Sequence, residues 1–196
     1  MSLKSKIIGA ITGVTLLGGG ITSVVKHNEG ESRLPDGTHI AYQDSAGVWT
    51  YCYGETKGAY KGLRVSQSVC DKQLVLSVQT HAEALAGLPE SLPDVVILGS
   101  IDMAYNTGVY GFKNSTQKKH LMNKDYKKAG QAVLAWRYIT LPNGNKYDCS
   151  QLVNGKPNKV CWGLWERRQW QAKAIGNQYD SVESAINALT KGQRIQ

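Results

Sequence analysis

Residues 28 to 56 read NEGESRLPDGTHIAYQDSAGVWTYCYGET. Ile40-Ala41-Tyr42 and Val48-Trp49-Thr50-Tyr51 are short runs of β-branched and aromatic residues. Asp44-Ser45-Ala46-Gly47 between them is turn chemistry, so the stretch predicts a β-hairpin. Residues 26 to 64 as a whole are rich in Gly, Tyr and Thr and read as turns and short strands.

Beyond residue 64 the apolar period changes from two to about 3.6. Leu74, Val78, His81/Ala82 and Leu85 share a helical face. Ser66 or Ser68 can cap that helix, with Asp71 closing a capping box on Ser68 and a stop near Gly87. Pro93 opens a second helix, with Ile97, Ile101, Ala104 and Tyr105 on one face and Gly108 at its end. Asp125 precedes a third helix through Ala129, Val133 and Trp136. Residues 140 to 161, with Pro142, Asn143-Gly144, Asn154-Gly155 and Pro157, form a turn-rich excursion. A helix follows over 164–175, and Asp180 with Glu183 caps a last one. There are no repeats and no second linker. The expected class is α+β, mostly α: a small β-containing lobe, then a larger helical lobe. The length of 196 residues suits one compact domain plus an appendage.

The appendage is N-terminal. After Lys4 and Lys6 comes IIGAITGVTLLGGGITSVV, residues 7 to 25, without a charge. As one helix it spans about 28 Å, close to a bilayer core. The lysines at its start favour a cytoplasmic N-terminus. No Ala-x-Ala-like cleavage site follows it. It is a poor anchor, because Gly9, Gly13, Gly18, Gly19 and Gly20 lower its helix propensity and Thr12, Thr15, Thr22 and Ser23 its hydrophobicity. Such a helix can enter a membrane and later leave it. The rival reading is a permanent single span that pairs through Gly9-x-x-x-Gly13. The expected division is a membrane segment over 1–26 and a catalytic domain over 27–196.

A formal net charge of +8 attracts polyanions in general: nucleic acid, anionic lipid or an acidic cell wall. No Lys/Arg run exceeds two residues, as in Lys118-Lys119, Lys127-Lys128 and Arg167-Arg168, so no nucleic-acid partner is expected. Ten Tyr and five Trp against one Phe suit a wet, sugar-lined groove as well as an ordinary core. His27, His39, His81 and His120 are not paired at ligand spacing and no CxxC occurs, so neither metal nor cofactor is expected. Cys52, Cys70, Cys149 and Cys161 in an exported chain suggest two disulfides, with three connectivities open.

Glu29-Gly30, Tyr42-Gln43-Asp44, Gly47-Val48-Trp49-Thr50 and Tyr53-Gly54, in that order, resemble the active-site stretch of the phage-type lysozymes. Asp44 and Thr50 keep that family's six-position spacing. Asp102-Met103-Ala104-Tyr105-Asn106-Thr107-Gly108 with Phe112 and Ser115-Thr116 resembles its helix across the cleft, and Gly163-Leu164-x-x-Arg167-Arg168 its later helix start. The resemblance covers roughly residues 27 to 176. It implies a two-lobe fold with a cleft between the lobes, and a muramidase that hydrolyses the β-1,4 bond between N-acetylmuramic acid and N-acetylglucosamine in peptidoglycan. The segment at 7–25 resembles the signal-anchor-release segment of certain phage endolysins. That implies an enzyme tethered to the inner membrane of a Gram-negative host, then released to the periplasm as a monomer.

The chemistry agrees. Glycoside hydrolysis needs one protonated carboxyl for the leaving oxygen and one carboxylate to direct the attacking water. By resemblance Glu29 is the acid, Asp44 the base or water-orienting carboxylate and Thr50 its partner, with Asn106 and Tyr42 on the substrate. Inversion, also implied, needs the carboxyls about 6.5 to 9.5 Å apart. The sequence departs from the family in two places. Glu29 and Asp44 lie fifteen positions apart, a longer spacing than the family's, and Leu34 to His39 is read as an inserted turn. A slipped register makes Glu31 the rival acid. Glu55 stands where the family has a His, and a changed local salt bridge is expected there. Asn106 has a second reading as a helix cap beside Gly108, Trp136 is read as core, and Arg167 and Arg168 are read as a solvated helix face. The expected disulfides are Cys52–Cys70 and Cys149–Cys161, the second closing the excursion. Two rivals remain. A lytic transglycosylase would cut the same bond without water and need only the acid. A non-catalytic wall-binding or membrane protein would need neither carboxylate.

Overall fold

In the computed structural model, which describes residues 2–13, 15–30, 33–44 and 47–191, the apolar N-terminal segment is two helices. They are α1 (Leu3–Thr12) and α2 (Leu16–Glu29), bent 82° from each other. Ser2 caps α1 and Thr15 caps α2, each hydroxyl accepting a backbone N–H three residues on. Among the described residues no single helix is long and apolar enough to cross a membrane, although the bent pair together has the length and composition.

Helix α2 buries Leu17, Ile21, Val24 and Val25, a single stripe at helical spacing. Its glycines have a second role beyond weakening an anchor. A Cβ on Gly18 would lie 1.9 Å from the Ala10 carbonyl oxygen, so α1 and α2 meet at backbone distance. The lysines that frame the segment make ion pairs within the fold: Lys4 with Glu83, Lys6 with Asp94 at 2.7 Å, and Lys26 with Asp71 at 2.6 Å.

The small lobe is built from two-residue strands. Strand β1 (His39–Ile40) pairs antiparallel with β4 (Arg64–Val65), and β2 (Tyr42–Gln43) with β3 (Trp49–Thr50) in the register Tyr42 to Thr50. The hairpin is the one the sequence predicts. The extra length before it folds on itself: Leu34 N–H donates to the Thr38 carbonyl, the Asp36 carboxylate caps Thr38, and Arg33 faces His39 across a bridge. Residues 34 to 38 therefore add a closed turn and little reach. Cys52, just past β3, is bonded to Cys70 in the first turn of α3 (Gln67–Ala82), with Cα atoms 5.1 Å apart.

The helical lobe surrounds α4 (Asp94–Lys113), which buries Val95 to Ala104 without a break. Helices α2 and α3 pack on it, as does α7 (Trp162–Ile175), and α2 also touches α8 (Val182–Lys191). Gly99 allows the α4–α7 approach, since a Cβ there would lie 2.7 Å from Ala174 Cβ. Between α4 and α7 come α5 (Thr116–Met122) and α6 (Tyr126–Val133), then two small antiparallel pairs. These are β5 (Tyr138–Thr140) with β6 (Lys146–Asp148), and β7 (Leu152–Val153) with β8 (Lys156–Pro157). They fill the turn-rich excursion, which Cys149–Cys161 closes.

Three details differ from the sequence reading, and one helix end is overrun. Ser66, not Ser68, caps α3, while Asp71 is turned to Lys26 and Gln67. Gly108, at φ +76°, interrupts the helix where the sequence ends it, and a second helical stretch continues in a new direction to Lys113. Helix α5 was not anticipated; Ser115 caps it and the buried Lys118 spans to the Ala84 and Ala86 carbonyls. The last helix is capped by reciprocal Ser181 and Ser184 bonds, not by Asp180 with Glu183.

Candidate active site

Glu29 is the last residue of α2, and Gly30 after it takes φ +67°, a conformation that favours glycine. Its carboxylate meets Arg167 of α7, with Nη2 2.8 Å from Oε1. Arg167 is in turn held by Asp102 of α4, through Nε at 3.2 Å and Nη2 at 2.9 Å. Asp102 is 1% exposed and also accepts from Asn28 Nδ2 at 3.0 Å and Gln171 Nε2 at 2.6 Å. A carboxylate this deep persists only when such donors replace water. The network fixes Glu29 to the helical lobe.

Asp44 and Thr50 belong to the hairpin. The Asp44 side chain is exposed and accepts the Val48 N–H at 2.9 Å, closing the turn. Thr50 is buried opposite Tyr42, and its hydroxyl donates to the Val48 carbonyl at 3.2 Å, leaving lone pairs available. Burial pushes the Tyr42 phenol up, and the charges of Glu29 and Asp44 push it further. Tyr105 belongs to α4 and packs against His81. Burial is the main cause that pushes its phenol up to about 12, with Glu29 and Glu55 adding to the rise, and its hydroxyl donates to the Tyr53 carbonyl at 2.8 Å.

Asn106 is apart from this group. It lies exposed on α4, its Oδ1 2.5 Å from Arg168 Nη2, and with Trp136, Tyr138, Lys146 and Arg168 it lines a recess of about 560 Å³. It does not end the helix. Arg168 also donates to the Trp136 carbonyl and to Gln171 Oε1, so hydrogen bonds run from Asn106 through Arg168, Gln171, Asp102 and Arg167 to Glu29. The reading of Arg167 and Arg168 as a solvated face is therefore corrected: both are buried. Trp136 is half-buried, its indole N–H reaching Gln117 Oε1 at 3.3 Å. Glu55 accepts the Lys57 backbone N–H at 2.8 Å, where a side-chain salt bridge was expected. Glu31 lies outside the described residues. Among the described residues no group of His, Cys, Asp and Glu is placed to hold a metal ion.

The sequence reading missed Asp102, Arg167 and Gln171 as the frame of Glu29. One signal was present: Asp102 follows Ile101 and precedes Met103-Ala104 on an otherwise apolar helix, and a buried acid there demands a cation.

A small hairpin lobe against a helical lobe, with one carboxyl locked by a guanidinium and another at a hairpin turn, is the build of a lysozyme-type glycoside hydrolase. The chain belongs to the phage lysozyme family, whose model matches residues 36–171. That match contains Asp44 and Thr50 and begins after Glu29. Among named relatives, the SAR-endolysin of Enterobacteria phage P21 is 27% identical over 140 residues, 70% of this chain and 83% of the relative. Among solved structures, the endolysin of Escherichia coli O157:H7 phage FAHEc1 is similar with a TM-score of 0.66 at 21% identity, over 83% of this chain and 94% of that one. The muramidase domain of SpmX from Asticaccaulis excentricus is similar with a TM-score of 0.62 at 22% identity, over 80% and 94% of the two chains. These two likenesses establish the fold.

Proposed function

We propose that the chain is an endolysin muramidase that hydrolyses the β-1,4 bond between N-acetylmuramic acid and N-acetylglucosamine in peptidoglycan, for host cell lysis. What supports the residue assignment is geometry: the Glu29 carboxylate is held by Arg167 at the end of α2, and Asp44 and Thr50 stand on the hairpin, Thr50 opposite Tyr42. Glu29 donates its proton to the glycosidic oxygen as the bond breaks. Asp44, with the lone pairs of Thr50, orients a water and takes its proton as that water attacks the anomeric carbon. Tyr42 and Asn106 contact the glycan, Asn106 from the recess it shares with Arg168.

The N-terminal segment supplies the address. Residues 7–25 tether the nascent enzyme to the inner membrane of a Gram-negative host, and release delivers it to the periplasm. In the tethered state residues 1–26 are the anchor and 27–196 the catalytic domain. In support, the two N-terminal helices together have the length and composition of a span, and the P21 relative bears the name SAR-endolysin. No nucleic acid takes part, and the released enzyme is a monomer.

The test is digestion of purified Gram-negative sacculi by the full oxidised chain, with new reducing ends as the readout. The parent produces them, and Glu29→Gln and Asp44→Asn lose at least about 100-fold in rate. Soluble fragments without reducing ends would mean a lytic transglycosylase, and undiminished lysis by both variants a non-catalytic binder. Flotation with inner-membrane vesicles before and after lysis onset tests the tether.

A further inference from the structure

Arg167 serves two carboxylates that are not equivalent. Asp102 holds the guanidinium through both Nε and Nη2 and receives two further amide donors. Glu29 meets the same Nη2 with one oxygen, and its side chain is 20% exposed against 1% for that of Asp102. One positive charge placed between two acids goes chiefly to the one with the better geometry and the deeper burial.

We infer that Asp102 is a positioning residue for the hydrolysis: by gripping Arg167 it aims Glu29 and takes up the guanidinium charge, so that Glu29 keeps the proton it must donate. This rests on the reading of Glu29 as the acid. The other groups in the neighbourhood are Tyr105 from α4, which also feels Glu55, Tyr42 from the hairpin, which also feels Asp44, His27 on α2, and Arg168 beside Arg167. Arg168 is turned to Asn106, Gln171 and the Trp136 carbonyl. The carboxylates and phenols among them add no positive charge. His27 is half-buried, and burial chiefly, then Arg167, pushes its imidazole down against the pull of Asp102, towards the neutral form. Arg167 is thus the cation next to Glu29, and Asp102 is its principal counter-charge. Neutralising Asp102 leaves that cation to Glu29 alone, and an opposite charge so close favours the ionised carboxyl.

The experiment measures reducing-end release from sacculi against pH for the parent, Asp102→Asn and Glu29→Gln. Asp102→Asn is expected to shift the alkaline limb of the profile down by about one pH unit. At neutral pH its kcat falls about tenfold with KM unchanged, the pattern of a loss felt in the transition state. A profile of Asp102→Asn that superimposes on the parent, while Glu29→Gln is inactive, overturns the inference and leaves the acid assignment standing. A Glu29→Gln variant at the parent rate overturns the acid assignment, and this inference with it. If Asp102→Asn does not fold, Asp102→Ser is measured in its place. If neither folds, Asp102 is a structural residue and the inference is overturned.

Discussion

Helices α2 and α4 both bring a carboxylate to Arg167, and they are built in opposite ways. Helix α4 buries ten consecutive residues from Val95 to Ala104, Asp102 among them, and is packed on several sides. Helix α2 has three adjacent glycines and buries one stripe. Burial of Leu17, Ile21, Val24 and Val25 contributes about 1.5–3 kcal/mol for each full side chain, and each glycine opposes helix formation by about 1 kcal/mol relative to alanine. The difference teaches that Asp102 stands on a foundation and Glu29 on a docked element. Docking of α2 combines that one apolar stripe with the close fit at Gly18 and the Lys26–Asp71 pair.

The comparison breaks most visibly in α4. Ile101→Ala, at a fully buried position, is expected to cost about 2–5 kcal/mol in denaturant unfolding and to loosen every helix together. Next comes the double variant Cys52→Ser/Cys70→Ser, which opens a loop of 18 residues and costs about 3 kcal/mol in the chain-entropy picture. Tyr53 and Asp71, neighbours of the two cysteines, receive Lys26, so hydrogen exchange should rise in α2 before α4. Equal rises in both helices would erase the distinction drawn here. Gly18→Ala follows: its methyl meets backbone, α1 must shift, and about 1–3 kcal/mol is lost, with exchange rising over residues 3–29. The smallest effect has the opposite sign. Gly19→Ala, one residue on, meets nothing within 4 Å on the exposed face and should stabilise by about 0.5–1 kcal/mol in thermal melts.

Local chemistry made much of the fold legible. Turn residues 44 to 47 between apolar runs fixed the hairpin; Asp125 precedes its helix as read, and Pro93 stands one residue before the helix it was read to open. Helix α5 escaped because Gln117, Lys118 and Lys119 show no apolar face; the tertiary partners of Lys118 make it a buried position. The division into α1 and α2 escaped because composition over 7–25 is uniform, and only a long-range fit distinguishes Gly18 from Gly19. At the site, Glu29, Asp44 and Thr50 could be named from order and spacing. The frame of Glu29 could not, since a Lys/Arg pair on a helix looks alike whether it faces solvent or a buried acid 65 residues away.

The Glu29–Arg167 contact joins residues 138 positions apart, and α2 packs against α8 near the other end of the chain. Closing so large a loop is entropically slow and comes late, after the local helices of the middle have formed. Catalytic competence is then a certificate of completion: in refolding, helical signal should recover first and wall-cutting activity only after a lag. A polypeptide halted before α7 is synthesised would carry the glutamate but have nothing to hold it.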